Sequence, residues 1–195
     1  DLPVTCIYSR AFRENTFPKK IVIPEGVTLI RANAFFKCSN LKEIILPNSL
    51  KELSGAGIFA YTAIESLKIP DGITSISSAA FMSCTNLSKV ILPDTIEKIF
   101  QSAFRDCPDN IEIIYSGTEE QWNLLQSNIN FKNNDLLKTN VTICDHANTS
   151  IINQADATCT TKGYTGDKQC DTCKKIVEKG TDIPMKDHTP VVDAA

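Results

Sequence analysis

The sequence predicts an α/β solenoid: a leucine-rich-repeat-like parallel β stack of 23-residue turns, a helical C-terminal cap and a small irregular cysteine-rich tail. Three observations predict it. Proline recurs at positions 24, 47, 70 and 93, a constant step of 23 residues, and closes the phrases IVIP, IILP, LKIP and VILP. Apolar residues repeat in fixed columns between those prolines. After residue 116 the repetition gives way to a helix signature, then to a segment with cysteines and both histidines. A period of 20 to 50 residues marks a stacked-repeat architecture, and such a stack presents a surface instead of enclosing a pocket.

The columns justify the stack. One holds Val4, Val27, Leu50, Ile73 and Ile96, and another Ile7, Ile30, Leu53, Ile76 and Ile99. Ala11-Phe12 returns as Ala34-Phe35, Ala80-Phe81 and Ala103-Phe104, with Gly57-Ile58 in the third position. Each apolar side chain is expected to lie on its equivalent in the next turn, so its size must repeat or the stack leaves voids.

The stretch Leu41-Lys-Glu-Ile44-Ile-Leu46 has the L-x-x-L-x-L form of a repeat strand. Alternation with period 2 sends Ile44 and Leu46 inward, and Glu43 and Ile45 outward. The proline ends each strand because it cannot donate to the ladder. Glu25-Gly26, Asn48-Ser49 and Asp71-Gly72 then turn the chain. The Ala-Phe section is expected to be a short turn or a single helical turn on the far side.

Outward positions on the strands define the candidate binding face. Two residues before each proline stand Val22, Ile45, Lys68 and Ile91, with Ile114 as the fifth in the column. Beside them runs Lys20, Glu43, Ser66, Lys89 and Glu112. The result is a narrow apolar stripe next to alternating charges. Exposed β-branched residues in a row can mark a partner site, although β propensity also selects them.

Thr118-Glu-Glu-Gln121 after a glycine is a capping box that starts a helix. Trp122, Leu125 and Ile129 share one face of it. With Phe131, Leu136, Leu137 and a strand near 141–143, this helix is expected to cover the open apolar end of the stack. The expected organisation is repeats over 1–116, cap over 117–143 and tail over 144–195. Because the chain starts inside a repeat, it reads as a fragment of a longer array.

A chain of 195 residues, 42% hydrophobic and 22% charged, has room for one elongated domain and a small second one. A net charge of −3 and a pI near 5.4 argue against nucleic acid as partner, since phosphate binding needs a concentrated basic face. No apolar run is long enough to insert this fragment into a membrane.

Of the eight cysteines, Cys38, Cys84 and Cys107 share a repeat column with Asn15 and Tyr61, and are expected to be buried thiols. Cys6 falls in a different column, with Leu29 and Glu52. The tail differs: Cys144-Asp-His146, Cys159, Cys170-Asp-Thr-Cys173 and His188. Two thiolates separated by two residues can hold one face of a tetrahedral zinc. Cys159 is then the third ligand, and His146 or His188 the fourth. Disulfides, or thiols left free for redox chemistry, are the alternatives. The repeats themselves call for no cofactor.

The phrase IPEGVTLIRANAFFKCSNLKEIILP resembles the BspA-type leucine-rich repeats of bacterial surface proteins, a likeness that covers residues 1 to about 116. YSGTEEQWNLL is similar to the segment that follows the last such repeat. The tail, ATCTTKGYTGDKQCDTCKKIVEKGTDIP ending in DHT, is similar to a small cysteine-containing module of secreted proteins of gut Firmicutes. That module carries glycine after CxxC and GHT at its end, where this chain has Lys174 and Asp187. The resemblance implies an extracellular, cell-surface or cell-wall protein. It implies adhesion to, or binding of, a host or bacterial surface protein or glycan, without a catalytic centre. A structural stalk is the alternative. A thiol enzyme in the tail would need a shaped cleft around a low-pKa cysteine, and iodoacetamide labelling at neutral pH would reveal one.

Overall fold

The computed structural model describes residues 4–127, 137 and 140–187. The chain divides into two compact units, Asp1–Cys144 and Asp145–Ala195.

In the first unit, short strands alternate between two sides of a coil. They are β1 (Cys6–Ile7), β2 (Lys20–Val22), β3 (Leu29–Arg31), β4 (Glu43–Ile45), β5 (Glu52–Ser54), β6 (Ser66–Lys68), β7 (Ser75–Ile76), β8 (Lys89–Leu92), β9 (Lys98–Ile99) and β10 (Glu112–Tyr115). Helix α1 (Glu119–Gln126) and strand β11 (Val141–Ile143) follow. The even strands and β11 form one sheet in the order β11-β10-β8-β6-β4-β2. Its ladders are parallel and in step with the 23-residue repeat: Lys20 faces Glu43, Ser66 faces Lys89, and Lys89 faces Glu112. The odd strands build a second ladder in two pieces, β1-β3-β5 and β7-β9. Cys6 indeed pairs with Leu29, and Leu29 with Glu52.

The core runs through the coil as files of like residues. Val27, Leu50, Ile73 and Ile96 are buried, as are Ile30, Leu53, Ile76 and Ile99. Phenylalanine rings stack from turn to turn, Phe12 on Phe35 at 5.2 Å, Phe35 on Phe59 at 5.7 Å, Phe59 on Phe81 at 5.5 Å and Phe81 on Phe104 at 5.1 Å. The expected Ile58 therefore does not occupy the ring position in the third turn. Phe59 does, one residue later.

The backbone explains the slip. Every ring is flanked two residues before and two after by left-handed residues: Arg10 and Glu14, Asn33 and Lys37, Gly57 and Tyr61, Ala79 and Ser83, Ser102 and Asp106. Placing Phe59 between Gly57 and Tyr61 keeps that geometry. The extra residue is absorbed at Gly55, where φ is +87° and an added Cβ would lie only 2.7 Å from Ala32 Cβ, so no side chain fits. One residue fewer after the ring restores the proline register.

The same shift corrects the cysteine column. Tyr61 is exposed, and buried Thr62 takes the place of cysteine in that turn. Cys38, Cys84 and Cys107 donate their S–H groups to the carbonyls of Phe12, Phe59 and Phe81, at 2.9, 3.1 and 3.1 Å. Burial pushes all three thiols up, Cys107 to about 12. Cysteine thus serves as a small apolar plug with one weak donor aimed at the neighbouring turn.

At the far end the capping box starts α1, as expected. Thr118 accepts from Gln121 N–H, and the Gln121 side chain accepts from Thr118 N–H. Trp122 and Leu125 are buried, with the indole 5.1 Å from Tyr115. Leu137 is buried too, while Ile129, Phe131 and Leu136 lie outside the described residues. Strand β11 pairs parallel with β10, Ile113 to Val141 and Ile114 to Thr142, so it is another rung of the sheet.

The second unit holds β12 (Thr149–Ile152), β13 (Gly163–Tyr164), β14 (Asp167–Cys170), β15 (Ile176–Glu178) and β16 (Asp182–Ile183), joined by irregular loops. Antiparallel sheets β12-β14-β15 and β13-β16 are its regular structure. At its centre is a buried carboxylate, Asp167. Tyr164 donates its phenol to Asp167 Oδ1 at 2.5 Å, Gly180 N–H donates to the same oxygen at 3.1 Å, and Asn153 donates to Oδ2 at 3.4 Å. The Tyr164 bond foremost, then the others with Lys179, holds the Asp167 carboxyl below its ordinary range and pushes the phenol up.

Candidate functional site

The outward columns of the even strands make the solvent face of the main sheet. Val22 is 60% exposed and Ile45 44%, while Lys68 and Ile91 are half-buried. Ile114 does not belong to this accessible stripe, because it is fully buried. As β11 continues the sheet, Ile114 is flanked in register by Ile91 on one side and Thr142 on the other. The accessible stripe is therefore Val22, Ile45, Lys68 and Ile91.

The charged column pairs with itself. Lys20 Nζ lies 2.8 Å from Glu43, and Lys89 Nζ lies 3.0 Å from Glu112. A further pair, Lys42 with Glu65 at 2.9 Å, joins the residue before β4 to the residue before β6, one position earlier in the repeat. Exposed pairs of this kind contribute about 0–1 kcal/mol each, so they set the pattern of the face more than its stability.

Ser66 stands between the two pairs of that column, and its short side chain leaves a depression. Glu43, Ile45, Lys68, Lys89 and Ile91 are among the residues that line about 330 Å³ of space there. The sheet is also least continuous at this point. Strands β4 and β6 register through Glu43 and Ser66 alone, whereas β2–β4 and β6–β8 each register over three pairs. Sequence reasoning placed Ser66 in the face but not the opening beside it. A serine interrupting a column of long charged side chains is the signal that could have found it.

The tail brings together some of its candidate ligands and not others. Cys170 and Cys173 are buried, and Cys173 Sγ lies 3.4 Å from His146 Nδ1. Cys144, two residues before His146 in the chain, completes a group whose ligand atoms all lie within 4.8 Å of one another. Cys159 is exposed and is not one of this group. His188 lies outside the described residues. The Cys144-x-His146 triplet, visible in the sequence, was the overlooked signal.

A coil of parallel rungs built on L-x-x-L-x-L strands, with an apolar file behind each, defines a leucine-rich-repeat solenoid. The family model for the BspA type Leucine rich repeat region matches residues 5–138, in six copies, and the chain belongs to that family. Among solved structures it is similar to a leucine rich cell surface protein from Faecalibacterium prausnitzii A2-165, at 31% identity and a TM-score of 0.60 over 65% of this chain. It is also similar to the leucine rich repeat protein TpLRR of T. pallidum, at 29% identity and a TM-score of 0.55 over 58% of this chain. The chain spans 34% of the first of these proteins and 53% of the second. No curated protein matches the chain. Among the described residues, no helix is long and apolar enough to cross a membrane.

Proposed function

We propose that the repeat unit is a non-enzymatic protein-binding module that acts in adhesion outside the cell, at the surface or wall. Membership of the family and likeness to a cell surface protein support the setting. The observation that carries the binding reading is the depression at Ser66, with the apolar walls Ile45 and Ile91 and the charges of Glu43 and Lys89 on its rim. That arrangement suits a protruding apolar side chain of a partner protein on a host or bacterial surface, with polar groups around it. The ammonium and carboxylate groups of the face neutralise each other in pairs, and the thiols of the repeats are held protonated by burial. Neither is set up as a base or a nucleophile.

The pairing also favours one second reading, a spacer whose charged face merely stays solvated. One experiment separates the two. Attachment of the purified protein to host epithelial and bacterial surfaces is compared for wild type, Ile45→Ser/Ile91→Ser, Ser66→Arg, and a Tyr61→Ser control away from the face. Binding predicts that the first two variants lose attachment at unchanged melting temperature while the control keeps it. Equal attachment by all four proteins discards the depression as a binding site.

A further inference from the structure

We propose that Cys144, His146, Cys170 and Cys173 form a structural zinc site. The observations are independent of the repeat face. Three sulfurs and an imidazole nitrogen lie within 4.8 Å of one another. A tetrahedral zinc, about 2.3 Å from sulfur and 2.0 Å from nitrogen, spaces its ligand atoms about 3.5–3.8 Å apart. The Cys173 Sγ to His146 Nδ1 edge is already 3.4 Å. The remaining edges need to close by about 1.3 Å at most to receive the ion.

The chain is shaped for this. Cys170 N–H donates to Lys175 O at 2.8 Å, and Lys174 N–H donates back to Cys170 O at 2.9 Å. These bonds fold Cys170-Asp-Thr-Cys173 into a knuckle that is closed by Lys174 in the left-handed region, at φ 61°. Both sulfurs of the knuckle are buried together, and Cys144 is buried as well.

The second unit also needs such a site. Its buried apolar side chains, among the described residues, are Ala157, Cys170 and Cys173. Ile151, Val177 and Met185 are exposed. A unit of this size without a large buried apolar side chain requires a cross-link of some kind. A disulfide would join two of the three clustered thiols and leave the third beside an imidazole with no role. A single ion engages all four. Three soft thiolates and an imidazole select zinc over magnesium or calcium, and with four protein ligands no position stays open for a substrate. Each thiol gives up its proton on binding, so affinity falls on acidification.

The test is the metal content of the purified full chain by mass spectrometry, paired with a thiol titration before and after chelation. About one zinc per chain is expected, with the clustered thiols reactive only after its removal. His146→Ala and Cys173→Ser should lose the metal, whereas Cys159→Ser and His188→Ala should keep it. Should the ligand variants fail to fold, cobalt replacement in the wild type serves instead, since thiolate-to-cobalt charge transfer with tetrahedral ligand-field bands reports the same donor set. The proposal is overturned by a metal-free chain with oxidised cluster cysteines. It is equally overturned if Cys159→Ser or His188→Ala abolishes binding, or if cobalt gives no thiolate charge transfer.

Discussion

In the repeat unit Phe35, Phe59, Phe81 and Phe104 lie ring on ring, all buried, whereas among the described residues of the tail the buried side chains include nothing larger than Ala157, Cys170, Cys173 and Asp167. One unit spreads its stability over equivalent contacts between neighbouring turns. The other concentrates it at two points, a carboxylate network and a cysteine-histidine cluster. Damage should therefore propagate differently. A repeat stack weakens turn by turn through its interfaces, while a point-stabilised unit loses its order when one point goes.

The largest effect is expected from Phe81→Ala. The ring has partners at 5.5 Å below and 5.1 Å above, and its loss leaves a cavity in the middle of the file. Truncation of a buried phenylalanine costs about 3–5 kcal/mol. Urea unfolding followed by far-ultraviolet circular dichroism should show that loss, with zinc content unchanged. A coincident loss of metal would break the comparison, because it would make the two units one cooperative body.

Chelation is the converse experiment. With zinc removed, hydrogen exchange should accelerate at Tyr164 and Cys170, whose amides are bonded to Ala155 O and Lys175 O. Phe59 and Phe81, bonded across turns to Ala80 O and Ala103 O, should keep their protection. Uniform acceleration, or none at Tyr164 and Cys170, would contradict the division of labour.

The same difference governs what could be read in advance. Proline at a fixed step gave away strand ends, register and the inward file, and Thr118-x-x-Gln121 gave away the helix start. A step held at 23 nevertheless lands on Ile58 and Tyr61, because an insertion before Phe59 and a deletion after it cancel before Pro70. Backbone conformation at Gly57 and Tyr61 shows the true register, and composition does not. Ile114 is buried, unlike the equivalent Ile45, and the period gives no view of the chain beyond residue 116, where β11 joins the sheet beside β10. In the tail no period exists. Which cysteine meets the CxxC depends on chain path: Cys159 is nearer in sequence, yet the Cys144-x-His146 triplet is nearer in space.

Acid should separate the units next. Folding favours the ionised form of Asp167, whose carboxyl is held below its ordinary 3.8, first by the Tyr164 hydrogen bond. That contribution is complete above 3.8 and drains away as pH falls below it toward the depressed folded value. Asp167→Asn should lower the tail's melting temperature at neutral pH and flatten its decline below 3.8 relative to wild type. The repeat unit's melting should be the same in both proteins. An identical acid limb in Asp167→Asn would remove this carboxylate from the account of the tail.

The smallest effects concern the left-handed residues, which both units contain for the same steric reason. Ala79 has φ 53°, and Gly57 fills the equivalent place one turn earlier. A side chain there costs about 1–2 kcal/mol, and glycine gives back roughly 0.5–1 of that in unfolded-chain entropy. Ala79→Gly should thus stabilise the repeat unit by about 0.5–1 kcal/mol. Lys174→Gly, at φ 61° in the knuckle, should gain a similar amount in the tail. The tail is the smaller unit, so the same free energy should shift its melting temperature further, as a smaller unfolding entropy requires. Equal shifts, or a gain in one unit only, would mean that strain is relieved by different local contacts rather than by the backbone that the two turns share.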